Sequence, residues 1–195
     1  MILSKKDLRD YLKQDAIALK CNRKKRPRFF GDEIWKFQIL LRKVEYYTNI
    51  FKTKKRHFFK YIWFTFKFHK HSIKYNVSIP INVFGPGLSI AHLGTINVNS
   101  KARVGKNCRI HEGVTIGSTN GSDTAPIIGD NVFIGTGAKI IGDLSIANDV
   151  AIGANAVVVR SIFEEGVTFG GVPAKKISNN SSHANLAQDL FKNIG

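Results

Sequence analysis

Acidic residues, cysteines and long apolar runs are scarce in this chain, and each scarcity narrows what it can be. Only 14 Asp and Glu stand against 30 Lys and Arg in 195 residues, a formal net charge of +16. Cys21 and Cys108 are the only cysteines. They are far apart and lack metal-ligand spacing, which predicts reduced thiols in a cytoplasmic protein and no metal site. No uncharged apolar run reaches the roughly 18 residues of a membrane-spanning helix. Met1 to Asp10 is charged within a few residues and has no apolar stretch of signal-peptide type, so secretion is not expected.

The excess charge is unevenly placed. Residues 1–75 carry 21 Lys and Arg against 6 Asp and Glu, and the remainder carries 9 against 8. A basic module therefore precedes a neutral one, which predicts an anionic partner for the first. The first part also has helical texture. Ser4 followed by Asp7 has the form of a capping box for a helix reaching Leu19. Cys21 to Arg28 reads as a basic loop. Phe37, Leu40, Val44, Tyr47 and Phe51 are spaced alternately three and four apart, which predicts a helix over 32–52. His57 to Tyr75 interleaves aromatic and basic residues and reads as a third helix, with a loop expected near His71.

From Val77 the texture changes to Gly, Asn, Val and Ile. Counting by six from Val98 gives Val98, Val104, Ile110, Ile116, Ser122, Ile128, Ile134, Ile140, Ile146, Ile152 and Val158, of which ten of eleven are aliphatic. A second ladder, four residues later, reads Ala102, Cys108, Val114, Val132, Ala138, Leu144, Val150 and Ala156. A period of six fits neither an amphipathic helix nor an alternating strand. It fits a prism-shaped coil with one inward residue per side and Gly, Asn or Asp at the corners. Stacked coils bury the ladders as one core. The break at Ser122, within the polar run Ser118–Thr124, predicts a loop extruded from the solenoid. Phe84, Ile90 and Ile96 belong to a register two residues away, with the offset expected around Thr95 to Asn99. The expected fold is a left-handed parallel β-helix behind a basic helical segment. Its divisions are 1–74, 75–177 and a tail at 178–195 with a short helix near Leu186–Phe191.

The ladders, the segment Ser78–Thr95 and the closing Gly171-Val-Pro-Ala-Lys175 resemble the hexapeptide-repeat acyltransferases. Within them the chain is similar to the serine acetyltransferase-like branch, especially members acting on bacterial surface polysaccharides. The resemblance implies a homotrimer with active sites between subunits and acetyl-CoA along the outside of the coils. It implies His92 as the catalytic residue. An alcohol is a poor nucleophile at neutral pH, and a neutral imidazole can take its proton during attack on a thioester and return it to the leaving sulfur. His111, about one coil later, is a secondary candidate for acceptor binding or proton transfer. For acetyl-CoA the resemblance implies Gly117, Ser118, Thr136, Gly137, Ala154 and Asn155, with Lys175 and Lys176 toward the phosphates.

Departures from the branch bear on the acceptor. Ala91 stands where serine acetyltransferases have Asp before the His, Thr124-Ala125 replace an Arg-His pair, and Ser78 replaces a supporting Asp. The charged partners that an amino acid's ammonium and carboxylate need are missing from those positions. The expectation is therefore acetylation of a sugar hydroxyl in a capsule, O-antigen or related glycan. The alternatives are a serine O-acetyltransferase of cysteine biosynthesis and a non-catalytic trimeric scaffold. The basic aromatic stretch 52–74 has three readings. It packs on the β-helix or across a trimer, it contacts the anionic inner membrane face, or it binds nucleic acid. The last is not expected, because no nucleic-acid module is present.

Overall fold

The computed structural model describes residues 1–192. Helix α1 spans Lys5–Ala18, α2 Glu33–Lys54 and α3 Phe58–Tyr75. The capping box forms as expected: the Ser4 hydroxyl accepts the Asp7 N–H at 3.0 Å, and the Asp7 carboxylate accepts the Ser4 N–H at 2.9 Å. Such a cap contributes about 1 kcal/mol. Helix α3 does not stop near His71 but runs on to Tyr75, where Asn76 closes it in the left-handed conformation with φ +54°. It packs on α2 by aromatic contact, Phe64 stacking on Tyr47 at 4.9 Å and Tyr61 on Phe51 at 4.7 Å between centroids.

Fourteen short strands follow: β1 (Val77–Ser78), β2 (Ser89–Ile90), β3 (Ile96–Val98), β4 (Arg103–Val104), β5 (Arg109–Ile110), β6 (Thr115–Gly117), β7 (Ile127–Ile128), β8 (Phe133–Ile134), β9 (Lys139–Ile141), β10 (Ser145–Ile146), β11 (Ala151–Ile152), β12 (Val157–Val158), β13 (Thr168–Gly170) and β14 (Lys175–Ser178). They form three sheets, ordered β1-β3-β6-β9-β12, β10-β7-β4 and β14-β13-β11-β8-β5-β2. All pairings are parallel except β13 with β14. This is the left-handed parallel β-helix that the period of six predicts. Every aliphatic member of the first ladder and every member of the second is buried, each large side chain contributing about 1.5–3 kcal/mol. Two corner types close each coil. Asn107, Asn131 and Asp149 take left-handed φ values of 56–59° and hydrogen-bond to one another in a column, at 2.8 Å per step. At Gly105 a Cβ would lie 2.7 Å from the Gly129 backbone, so only glycine lets the coils stack there.

Register locates the irregularities. β7 pairs with β10 at an 18-residue step (Ile128 with Ile146), whereas β4 pairs with β7 at a 24-residue step (Val104 with Ile128). The six extra residues are the exposed loop around Ser118–Thr124, where the ladder breaks. In the first coil the step falls from 20 residues at Ile90–Ile110 to 18 at Asn97–Thr115. The two extra residues lie in the corner 91–94, ahead of the Thr95–Asn99 stretch to which the sequence points. Both Ile96 and Val98 face inward, so the pattern there reads as continuous and hides the true site of the offset.

The first coil is capped by polar side chains of α2. Gln38 donates to the Leu88 carbonyl at 2.7 Å and accepts from the Ile90 N–H at 2.9 Å. Arg42, fully buried, donates to the carbonyls of Phe84 and Gly85 and to Asp15 and Glu45. Asp15 also accepts the N–H groups of Gly87 and Leu88, and Glu45 accepts that of Asn82. An open β-helix end exposes unpaired backbone groups, and here helix side chains satisfy them. Burial lowers the Arg42 pKa, but the two carboxylates outweigh it and the net shift is upward. Phe37 and Leu41 of α2 join the same apolar core as the coils. In the tail, the expected helix near Leu186–Phe191 is instead two 3₁₀ turns, Ser182–Asn185 and Gln188–Leu190. Residues 193–195 of that tail lie outside the described residues.

Candidate active site

The extra residues of the first coil put His92 on an outward corner. In the next coil the matching corner is His111-Glu112-Gly113, and β2–β5 pairing stacks one on the other. The His92 and His111 rings meet edge to face, 5.7 Å between centroids. One potential ligand or proton-carrying atom from each of His92, His111 and Glu112 lies within 4.8 Å of the others. Among the described residues this is the one group of three His, Cys or carboxylate side chains close enough to share a metal ion. Gly94 permits the approach: a Cβ there would come 3.0 Å from Glu112 Cβ, and its φ of +152° already disfavours other residues.

The surroundings set the chemistry. Thr136 donates to Glu112 Oε1 at 3.1 Å and lies 3.3 Å from His111 Nδ1. Glu112 Oε2 is shielded and, among the described residues, has no hydrogen-bond partner. The Glu112 carboxyl is held below its ordinary pKa, first by its own backbone N–H, then by Thr136 and the two imidazoles against an opposing burial effect. His111 is held below the ordinary imidazole value, first by burial and then by Arg109. A carboxylate, a neutral imidazole and a second, exposed imidazole thus share one corner, which suits proton transfer at neutral pH.

The other sequence candidates are distributed along the stack. Thr136, Gly137, Ala154 and Asn155 continue the same corner in the next two coils, Gly137 lying directly against Asn155. Gly117 and Ser118 lie at the opposite end of β6, where the loop leaves the coil, and Ser118 accepts from Asn99 at 3.2 Å. Lys175 and Lys176 are on β14, five strand spacings from β2, or about 24 Å. Lys175 is exposed, and Lys176 is paired with Glu164 at 2.5 Å. The extruded loop is tied to the preceding coil by a Lys101–Asp123 pair. His183, without signal in the sequence, bonds to Asp149 at 2.7 Å and extends the corner column. Glu112 is the residue to which the sequence assigns no site role, although a carboxylate with no core role beside His111 is visible there. A cavity of about 670 Å³ lies near Ile81–Gly85 and includes none of the His92 cluster.

Comparison with known proteins agrees with this architecture. Residues 125–160 match the family described as bacterial transferase hexapeptide (six repeats). The chain is 39% identical over 100 residues to a serine acetyltransferase of Mycobacterium tuberculosis, covering 50% of this chain and 43% of the relative. The chain therefore spans less than half the length of that relative. Among solved structures, the serine acetyltransferase of Brucella abortus superposes with TM-score 0.69 at 24% identity, covering 91% of this chain and 72% of that one. A serine acetyltransferase in complex with CoA superposes with TM-score 0.68 at 24% identity, covering 89% and 71%. The hexapeptide-repeat resemblance and the β-helix stand. The polysaccharide acceptor does not: the curated relatives at 39% and 34% identity, from Mycobacterium tuberculosis and Staphylococcus epidermidis, are serine acetyltransferases. That expectation rested on charges missing at 78, 91, 124 and 125. Stacking brings charges to the corner from elsewhere, through Glu112 and Arg109.

Proposed function

We propose that this protein transfers the acetyl group of acetyl-CoA to the hydroxyl of serine. The meeting of His92, His111 and Glu112 at one outward corner of a hexapeptide-repeat coil carries this reading, supported by the names of the relatives. His92 takes the hydroxyl proton as the serine oxygen attacks the thioester carbonyl. It returns that proton to the sulfur as the carbon–sulfur bond breaks, so no covalent enzyme intermediate is needed. Glu112 orients the His92 ring and stabilises its protonated form. His111, kept neutral, shares in positioning the acceptor. Acetyl-CoA lies along the corner formed by Thr136, Gly137, Ala154 and Asn155, toward Gly117–Ser118 and the Lys175–Lys176 strand. The protein works as a homotrimer, about 65 kDa from a 21.8 kDa chain, with the site completed between subunits. The deciding experiment is CoA release by the purified protein with acetyl-CoA and L-serine at millimolar concentration or below. Serine-dependent release is expected, and its absence overturns the reading.

A second contact follows from α3. Phe59, Trp63 and Phe66 are exposed on one side, among Lys60, Lys67, Lys70 and Lys74, and no acidic residue occurs between Glu45 and Glu112. A second copy would oppose cation to cation, whereas an anionic lipid surface complements both features. We infer peripheral contact with an anionic membrane face. No helix among the described residues is long and apolar enough to cross a membrane.

A further inference from the structure

The outward face of β5 carries an unspent cation. Arg109 precedes the inward Ile110, so strand alternation sends its side chain outward beside His111, roughly 7 Å away along the strand. One Nη1 hydrogen is given to Ser89 Oγ at 3.0 Å. Arginine has five donors, and among the described residues the others have no carboxylate to meet. Burial lowers the Arg109 pKa, as expected for a half-buried guanidinium without a counter-ion.

Arg109 lines a cavity of about 430 Å³ between the α1–α2 connection and the first coils. Ala91 and Leu93, the neighbours of His92, line it too, and Trp35 forms part of the opposite wall. The carboxylates on that wall are engaged elsewhere. Asp32 binds Lys24 and Arg28, and Glu33 binds Lys36 and Tyr75. The cavity thus holds a planar, bidentate donor with N–H groups to spare, and the His92–His111 corner adjoins it without lining it.

We propose that Arg109 binds the carboxylate of the acceptor, supplying the charge that Thr124-Ala125 lack and making a free amino acid the preferred substrate. This rests on the serine reading. In this arrangement the carboxylate lies on the guanidinium and the hydroxyl reaches toward the imidazoles.

The test compares L-serine with L-serinamide, which lacks the carboxylate, in wild type, Arg109→Gln and Arg109→Lys, following CoA release. Wild type is expected to prefer serine. In Arg109→Gln the KM for serine should rise by about 10–100-fold, the range of a charge-assisted contact. The KM for acetyl-CoA and the melting temperature should hold, the serine preference should vanish, and Arg109→Lys should recover part of it. If wild type acetylates serine and Arg109→Gln retains the preference over serinamide, this inference falls and the serine reading stands. If wild type shows no serine-dependent release, both fall.

Discussion

The imidazole of His92 stands edge-on to that of His111, 5.7 Å between centroids, although 19 residues separate them in the chain. Two residues of extra length in the first coil create this relationship, by pushing His92 out of the ladder and over the next coil's corner. The two histidines are not equivalent. His92 is exposed, two residues past β2, whereas His111 directly follows β5, is partly buried and is bonded into Thr136.

His92→Ala should lower kcat for CoA release by about 10²–10⁴-fold, the usual contribution of a positioned general base. The KM for acetyl-CoA should change little. His111→Ala should retain more turnover than His92→Ala. Steady-state kinetics on both variants decide the order, and intact turnover in His92→Ala overturns the assignment.

Glu112→Gln tests the orienting carboxylate through kinetics. Its removal should lower kcat by about 10-fold or more with little change in the KM for acetyl-CoA. An unchanged kcat would leave Glu112 a purely structural role. A separate titration concerns His111, whose pKa burial and Arg109 both depress. In Arg109→Gln the His111 resonances should titrate at higher pH than in wild type. For stability the sign is the same: a depressed histidine favours the folded state above its unfolded pKa, and that contribution fades as pH falls toward its folded value.

Arg42→Met should unfold at markedly lower denaturant, by about 3–5 kcal/mol, because Asp15 and Glu45 would remain buried without their cation. Adding Asp15→Asn and Glu45→Gln should recover part of the loss, since the uncompensated charges go with them. Urea midpoints measure both. A loss below about 1 kcal/mol in the single variant would mean that α2 docks by its apolar residues alone.

Vesicle co-sedimentation tests α3. Binding to vesicles containing an anionic phospholipid should weaken with salt and in a variant with Trp63→Ser and Phe66→Ser, while neutral vesicles bind weakly. Equal binding to both vesicle types, or binding to neither, overturns the membrane contact.

By itself the sequence determined the solenoid. A residue that points inward in every coil must be small or aliphatic wherever the coil goes, so the ladders from Val98 to Val158 are written locally and are legible without any long-range contact. The break at Ser122 was equally legible, because a solenoid of fixed period shows an insertion as a lost beat. The helices were readable from spacing and from the Ser4 cap. Only the tertiary structure decided the corner that holds His92, since Ile96 and Val98 both face inward and mask where the two extra residues sit. It alone decided the capping of the first coil, where Arg42 and Asp15 are 27 residues apart and Arg42 reaches Phe84 across 42. It alone put Glu112 beside His92, with Arg109 near His111. Outward side chains carry no periodic demand of their own, and their neighbours are fixed by the register of stacking. Register depends on the exact length of every corner and loop between them. The charges sought at 78, 91, 124 and 125 were therefore absent where a linear reading looked for them, while the folded chain gathered others at the same corner.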